Sequence, residues 1–527
     1  MAERHYPVGI QTFSEIIRGG YVYIDKTDLM WQMQHKRKYI FLSRPRRFGK
    51  SLLSSTLHSF FAGQKDLFEG LKIMKLEKEW NQYPIIHLDI STAKGQDSKE
   101  DLRQTLMWIL QPYAKQYGKD ESETSPGKLL TGIIKRVHHS TGKQVVIIID
   151  EYDAPMLEIV HDNEMLDELR KVMQEFYMPL KACEADIKFC FITGITKFSQ
   201  LSIFSTINNL TNITMWPEFS AICGITEKEL SEQMQEDIEL MAIKNHLSVD
   251  EMHVKLKMQY DGYHFSEDSE EVYNPFSLLK AFDSKKFGNY WFESGTPSFL
   301  IREMKYYHTD IMSLDKLVVP ADAFDQPTEN MEDALPLLYQ SGYLTIKAYN
   351  KDLDTYTLSI PNQEVRIGYT RGLLPSYTGL KATDVQMGFA AKFWMALKND
   401  DIDLAMREMQ TYMAGIPYIE GFKQKLADAA TAEGFYEYTM YLIFSMLNVY
   451  TKTQVKCAGG RTDVVVWMEK ITYVFELKVT GSAEDAISQI DEKGYAISFE
   501  TGGRKVVKVG VMFDKETRTP INWIIKE

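Results

Sequence analysis

Along the chain, short unbroken apolar runs alternate with longer stretches in which apolar residues recur every third or fourth position. That is the pattern of buried strands and amphipathic helices in an α/β fold. The first run, Tyr39-Ile40-Phe41-Leu42, leads through a polar loop into Leu52, Leu53, Thr56, Leu57, Phe60 and Phe61, spaced as one helix face. Pro84 to Ile90 is a second, mostly apolar run, and residues 98 to 138 are helical in spacing with a break at Ser125-Pro126-Gly127. Val145-Val146-Ile147-Ile148-Ile149 puts five β-branched residues in a row, which predicts a strand buried on both faces. Ile187 to Ile192 predicts a further strand. The apolar stretch near 221 to 225 then reaches Thr226-Glu227-Lys228-Glu229, a capping box that opens the next helix.

The pattern changes past residue 230. Residues 227 to 260 are charged and helical in spacing, as expected of a small helical lid, and Tyr260 to Phe265 is turn-rich and aromatic, with His264 expected to be a packed loop histidine. From Met331 the order is helix (Leu335, Leu338), Gly342, strand (Tyr343 to Ala348), polar turn and strand (Thr355 to Ile360), the order of a winged-helix unit. Such a unit either touches DNA or packs against its neighbour, and the acidic residue in its turn favours packing. Residues 384 to 425 predict a helical hairpin with Phe393, Trp394 and Leu397 on its buried stripe. Near the C-terminus come a strand from Gly460 to Val466, a turn at Glu469-Lys470, and an alternating strand from Ile471 to Lys478. A helix opened by Ser482-Ala483-Glu484-Asp485 and a strand from Val506 to Phe513 follow. The expected domains are therefore 1–230, 231–425 and 426–527, since 527 residues exceed what one core usually serves.

Composition narrows the function classes. Sixty basic against seventy-three acidic residues give a net charge of −13, so any contact with nucleic acid has to be local. Four cysteines, Cys183, Cys190, Cys223 and Cys457, show no metal-ligand spacing and read as reduced thiols of a cytoplasmic protein. No apolar run is long enough to span a membrane, and the residues after Met1 carry no apolar signal core.

Two constellations carry chemistry. In Ser43-Arg44-Pro45-Arg46-Arg47-Phe48-Gly49-Lys50-Ser51 a strand, a tight loop and a helix follow one another, which gathers backbone N–H groups and the positive helix end around one point that attracts phosphate. Gly49 permits close approach, the Lys50 ammonium reaches the β and γ oxygens, and the Ser51 hydroxyl can join Mg²⁺. This matches the second half of a Walker A loop; in the first half Arg44 stands where glycine is expected. At the end of the Val145–Ile149 run, Asp150 can hold the Mg²⁺ water shell and Glu151 can orient or deprotonate a water. Arg46, Arg47, Phe48, Gly49, Lys50, Ser51 and Leu52 are the expected nucleotide contacts. Thr193, with Thr196 and Lys197 behind it, resembles the position where related ATPases keep a polar residue that senses the γ-phosphate, and is the candidate this resemblance implies.

The second constellation is Asp463, Glu476 and Lys478. Alternation puts Glu476 and Lys478 on one strand face, where Asp463 on the partner strand can complete a pair of oxygen donors for Mg²⁺ and Lys478 can orient the attacking water. Gln489 and Lys493 share one face of the following helix. The set Asp463, Glu476 and Lys478 resembles the PD-(D/E)XK nuclease superfamily, which often places a glutamate on the preceding helix, and this resemblance implies Glu433, or Glu437 one turn later, as a third metal ligand.

Together with Pro7-Val8-Gly9-Ile10, Tyr23-Ile24-Asp25-Lys26-Thr27, Asp150-Glu151-Tyr152-Asp153 and the Phe204-Ser205 to Leu210 stretch, these motifs resemble the bacterial AAA-ATPase-like proteins. In that family a P-loop ATPase domain precedes a PD-(D/E)XK nuclease superfamily domain. The resemblance implies that Arg44 is normal at its position and that Thr462-Asp463 replaces Pro-Asp. It also implies ATP and Mg²⁺ as cofactors and nucleic acid, DNA ahead of RNA, as partner, with a role in defence or mobile elements suggested by analogy alone. The expected fold is α/β: a parallel P-loop sheet with helices on both faces, a helical and winged-helix-like middle, and an α/β nuclease-like domain. The alternative is a nucleotide-dependent switch or binding module with an inactive nuclease fold. Oligomeric state is open.

Overall fold

The computed structural model describes residues 4–157, 162–197, 210–293, 316–326, 333–369, 384–415, 450–457, 460–468, 470–500, 503–514 and 519–527. It also describes residues 159, 303–304, 306–307, 314, 436–437, 439–440, 443–444 and 516–517. The chain forms two compact units, Met1–Gly295 with Arg302–Glu364, and Thr296–Ile301 with Val365–Glu527. The described residues between 231 and 364 thus pack with the nucleotide-loop unit, and those from 365 to 415 with the C-terminal one.

In the first unit, α1 (Phe13–Arg18) and α2 (Thr27–Lys36) lead to β1 (Tyr39–Ser43), the loop, and α3 (Lys50–Phe61). Then follow β2 (Ile85–Asp89), α4 (Lys99–Tyr117), α5 (Pro126–Thr141), β3 (Val145–Asp150), α6 (Asn163–Tyr177), β4 (Ile187–Gly194) and β5 (Thr211–Asn212). The break at Ser125-Pro126-Gly127 is the start of α5, where Pro126 takes the first turn and its missing N–H costs nothing. These five strands pair in parallel in the order β2-β3-β4-β1-β5. Every residue of β1 and β3 is buried, so both faces of the sheet are covered. β4 lies between β1 and β3, and the ends of all three strands open on the same edge.

After β6 (Ile225–Thr226) come α7 (Glu227–Gln233), α8 (Gln235–Asn245), α9 (Val249–Tyr260), β7 (Val272–Tyr273) and α10 (Pro275–Ser284). The Thr226–Glu229 capping box is present in both directions. These helices close on a core of Leu230, Ile238, Met241, Leu256, Tyr260 and Leu278, against which Tyr6, Val22 and Ile24 of the N-terminal segment pack. β8 (Leu317–Pro320), α11 (Leu335–Gln340), β9 (Thr345–Asn350) and β10 (Thr355–Ser359) then build an antiparallel sheet in the order β8-β10-β9. The helix and hairpin are those expected. The third strand β8, only four residues long and far upstream, had no legible pattern.

In the second unit, α12 (Asp384–Lys398) and α13 (Ile402–Ala414) form the expected hairpin; its continuation to 425 lies outside the described residues. The buried stripe is Phe389, Phe393, Ala396 and Leu397, and Trp394 is only half-buried, with the Lys398 ammonium over its ring. The sheet runs β11 (Tyr450–Cys457), β12 (Gly460–Trp467), β13 (Ile471–Lys478), β14 (Lys505–Phe513) and β15 (Pro520–Lys526). Only the β13–β14 pair is parallel, as its crossover through α14 (Ala483–Lys493) requires.

Candidate functional site

The phosphate loop is shaped by three local facts. Gly49 has φ 92°, a left-handed conformation that only glycine adopts without cost, and it turns the chain into α3. Arg47 (φ 68°) and Glu151 (φ 50°) are left-handed without being glycine, at about 1–2 kcal/mol each. Strain of that kind gathers where a side chain has to be aimed. Phe48 is buried between Tyr263 and Phe265, ring centres 4.7 and 5.4 Å away, and Trp291 Nε1 donates to Arg46 O at 3.2 Å. The aromatic stretch near 260 therefore braces the loop, a role its turn-like composition did not disclose. His264 is a packed loop residue as expected, its ring Nε2 hydrogen-bonded to Ser269 O and its backbone N–H donating to Thr345 Oγ1.

Arg44 does not enter the loop's concave side. Its guanidinium is 1% exposed and donates to Ser43 O (2.9 Å), Thr214 O (2.8 Å) and Phe219 O (3.1 Å), over the Phe265 ring. Arg44 has an ordinary negative φ, so no glycine is needed there. Arg46 and Arg47 remain exposed beside the loop.

The Lys50 ammonium is buried and donates to the carbonyls of Arg44 (2.9 Å) and Pro45 (3.0 Å). Burial lowers its pKa, against the charges of Asp150 and Glu151. The Ser51 hydroxyl is hydrogen-bonded to Asp150, whose carboxyl is pushed up by burial while Ser51 and Lys50 oppose the rise. Glu151 is raised by burial as well, with Lys50 opposing. Asp89 pairs with Asp150 in register at the end of β2, an acidic neighbour that no sequence pattern marked. Leu52 and Gly49, with Ile24, Leu53, Ile225 and Leu279, line an apolar cavity of about 90 Å³.

The three candidate sensors are all engaged within the protein. The Thr193 hydroxyl donates to Leu42 O (2.7 Å), the Thr196 hydroxyl donates to Asp153 (2.8 Å), and the Lys197 ammonium pairs with Asp325. Asp153, fully buried, also accepts the backbone N–H groups of Ile195 and Thr196, which fastens the end of β4 to the end of β3. Gly194 makes this possible, since a Cβ there would come within 2.4 Å of Asp153 Oδ1.

In the second unit the β12–β13 ladder stops at Val464–Phe475. One residue further, the Asp463 carboxylate accepts the Leu477 N–H at 2.8 Å, standing in for a backbone partner. Glu476 and Lys478 lie on the α14 side of β13, the side where Val474 meets Ile487 and Ile490. The Lys478 ammonium donates to Gln489 Oε1 (2.6 Å) and is 3.8 Å from Glu476 Oε1, to which Gln489 Nε2 donates. Gln489 thus fixes acid and base together. Glycine at 510, opposite Glu476 on β14, lets α14 come this close, because a Cβ there would meet Ala483 O at 2.5 Å.

Glu476 is 2% exposed, and burial, together with the neighbouring Asp463 charge, pushes its carboxyl up to about 8. Its Oε2 is buried without a hydrogen-bond partner among the described residues. Two acids face to face, one with an orphaned oxygen, form a donor pair that fits a hard divalent cation. No group of three His, Cys, Asp or Glu residues suited to a metal occurs among the described residues. Glu433 lies outside them, and Glu437 is described and buried.

Phosphate loop, carboxylate-ended strand and D…ExK sheet define a P-loop ATPase-like module joined to a PD-(D/E)XK-type module. A family described as "Predicted AAA-ATPase" matches residues 7–204, and the PD-(D/E)XK nuclease superfamily matches residues 431–523. Over 537 residues, all of this chain and 99% of the other, the sequence is 30% identical to an uncharacterized protein in the vnfD 5′ region of Azotobacter chroococcum. The chain belongs to this family of predicted AAA-ATPases with a C-terminal PD-(D/E)XK domain. Among solved structures it is similar to the Walker-type ATPase Paby2304 of Pyrococcus abyssi, at 11% identity and a TM-score of 0.36 over 65% of this chain and 95% of that one. So distant a likeness adds nothing to the assignment.

Proposed function

We propose that the chain is an ATPase whose nucleotide state controls a divalent-metal-dependent nuclease on the same polypeptide, acting on nucleic acid, DNA ahead of RNA. The observation that carries the reading is that Glu476 and Lys478 share Gln489 on one face of a sheet, with the Asp463 charge beside Glu476. From residue 365 to the end the chain holds twenty basic and twenty acidic residues, so the surplus negative charge lies elsewhere and a polyanion is repelled less here.

In the first unit Arg46 and Arg47 stand ready for the triphosphate, and the Lys50 ammonium exchanges the loop carbonyls for phosphate oxygens. Glu151 orients the water and takes its proton, and its raised pKa suits that task. Ser51 and Asp150 there, and Asp463 and Glu476 in the second unit, would hold Mg²⁺, which would supply positive charge against the phosphorus oxygens. Lys478, aimed by Gln489, orients the water that attacks the phosphodiester. The base of ATP occupies the apolar cavity beside Gly49.

Among the described residues no helix is long and apolar enough to cross a membrane, and Cys183, Cys190 and Cys223 are buried thiols, which supports a cytoplasmic location. The test is a panel of single- and double-stranded DNA and RNA with Mg²⁺ or Mn²⁺, with and without ATP, on the intact chain. Cleavage that depends on metal, responds to ATP and disappears in Glu476→Ala and Lys478→Ala is expected. Hydrolysis of ATP without cleavage under either metal favours the binding-module alternative instead.

A further inference from the structure

Lys26 is the charged side chain in the wall of the apolar cavity beside Gly49; every other described residue of that wall is uncharged. It is 9% exposed, and the hydrogen bond recorded for its ammonium goes to the Glu229 carboxylate, at 2.5 Å. An ammonium has three N–H donors and no acceptor. Burial in apolar surroundings lowers the pKa of Lys26, and the Glu229 charge opposes this. Among the described residues the buried ammonium keeps N–H donors beyond the one given to Glu229, and an acceptor brought into the cavity relieves the cost of burying them.

The residue is also rigidly mounted. Asp25 Oδ1 accepts both the N–H (2.9 Å) and the hydroxyl (2.6 Å) of Thr27, and Asp25 Oδ2 accepts the Lys72 N–H (2.7 Å). Glu229 is held by the Thr226 N–H at the start of α7. The cavity, with room for roughly six waters, is open on one side and takes the edge of a fused two-ring base. Its flanks, Ile24, Leu52, Leu53, Ile225 and Leu279, suit the flat faces of such a ring. Of the edge atoms of adenine, the ring nitrogens accept hydrogen bonds and the amino group donates, so an ammonium recognises a ring nitrogen.

We propose that Lys26 is the base-reading residue of the nucleotide site, donating a hydrogen bond to N1 or N7 of adenine held in the cavity beside the phosphate loop. The inference rests on the reading of the chain as an ATP-binding protein. It makes base selection depend on a side chain carried by the segment before β1.

Equilibrium binding to the full chain of ATP, 1-deaza-ATP and 7-deaza-ATP, in which one or the other ring nitrogen is a C–H, tests it. Wild type is expected to bind one analogue about 10-fold or more weakly than ATP. Lys26→Met is expected to bind all three alike, at the weaker level. Equal affinity of wild type for ATP and both analogues overturns the inference, as does a Lys26→Met chain that keeps the preference for ATP. Should wild type bind none of the three, the ATP reading itself falls and this inference with it, an outcome distinct from ATP binding without discrimination. If Lys26→Met does not fold, the three-nucleotide comparison on wild type decides alone.

Discussion

Putting glycine back where a Walker A loop usually has it is expected to damage this protein. In Arg44→Gly the guanidinium that ties the loop to the segment after β5 disappears, and Thr214 O and Phe219 O lose their donor in the interior. Each buried carbonyl left unpaired costs about 1–3 kcal/mol. Stacking over the Phe265 ring, 4.2 Å from the guanidinium carbon, contributes about 2 kcal/mol more at a desolvated site. Against this stands the burial of the guanidinium itself, which brings its pKa well below the ordinary value, to about 10, and offsets about 3 kcal/mol. The net loss is about 3 kcal/mol, or roughly 4 °C in the melting midpoint of a unit of this size.

Arg44→Met, which keeps much of the volume and none of the donors, should lose less, because it leaves a smaller void. Thermal unfolding and ATP binding on wild type and both variants check this. Arg44→Gly is expected to melt lower and bind ATP at least about 10-fold more weakly, because the first residue of the loop is no longer held. An Arg44→Gly chain that melts within about 2 °C of wild type and binds ATP equally well would refute the anchoring role.

Glu476 has its folded pKa raised from 4.5 to about 8, so between those values the folded chain holds a proton that the unfolded chain has lost. Metal-free stability should therefore fall as pH rises from about 5 to 8 and level off above. Glu476→Gln should remove that slope together with the stabilisation by added Mg²⁺, and an unchanged slope in melting curves between pH 5 and 9 would contradict the assignment. Gln489→Leu deprives Lys478 and Glu476 of their common partner. Cleavage should drop about 10-fold or more, and the pH profile should move upward because Glu476 loses a donor that lowers its pKa. A reduced rate with an unmoved profile would leave Gln489 a packing role only. Asp153→Ala removes the acceptor of three hydrogen bonds at the end of β4 and should cost about 2–4 kcal/mol, with slower ATP hydrolysis. Calorimetry showing an unchanged midpoint would deny the latch any energetic role.

Local order along the chain was enough for much of this. Five β-branched residues before Asp150 can bury both faces only as a central parallel strand, and Gly49-Lys50-Ser51 between a strand and a helix demands the left-handed turn that the structure has. Alternation along β13 placed Glu476 and Lys478 on one face, and the capping box at Ser482 fixed the start of α14. Such features depend on neighbours a few residues away, and a sequence states those directly.

Contacts between distant segments were decided only by the tertiary structure. The side chain of Arg44 meets carbonyls some 170 residues later, and Phe48 is braced by rings more than 200 residues away. Thr193 has its hydroxyl taken by a carbonyl of β1, a pairing that follows from strand order and not from composition. Gln489 reaches Glu476 because Gly510, on a third strand, leaves room for α14. Whether a polar group is free for chemistry or consumed by the fold depends on what packs against it, and linear order does not contain that information.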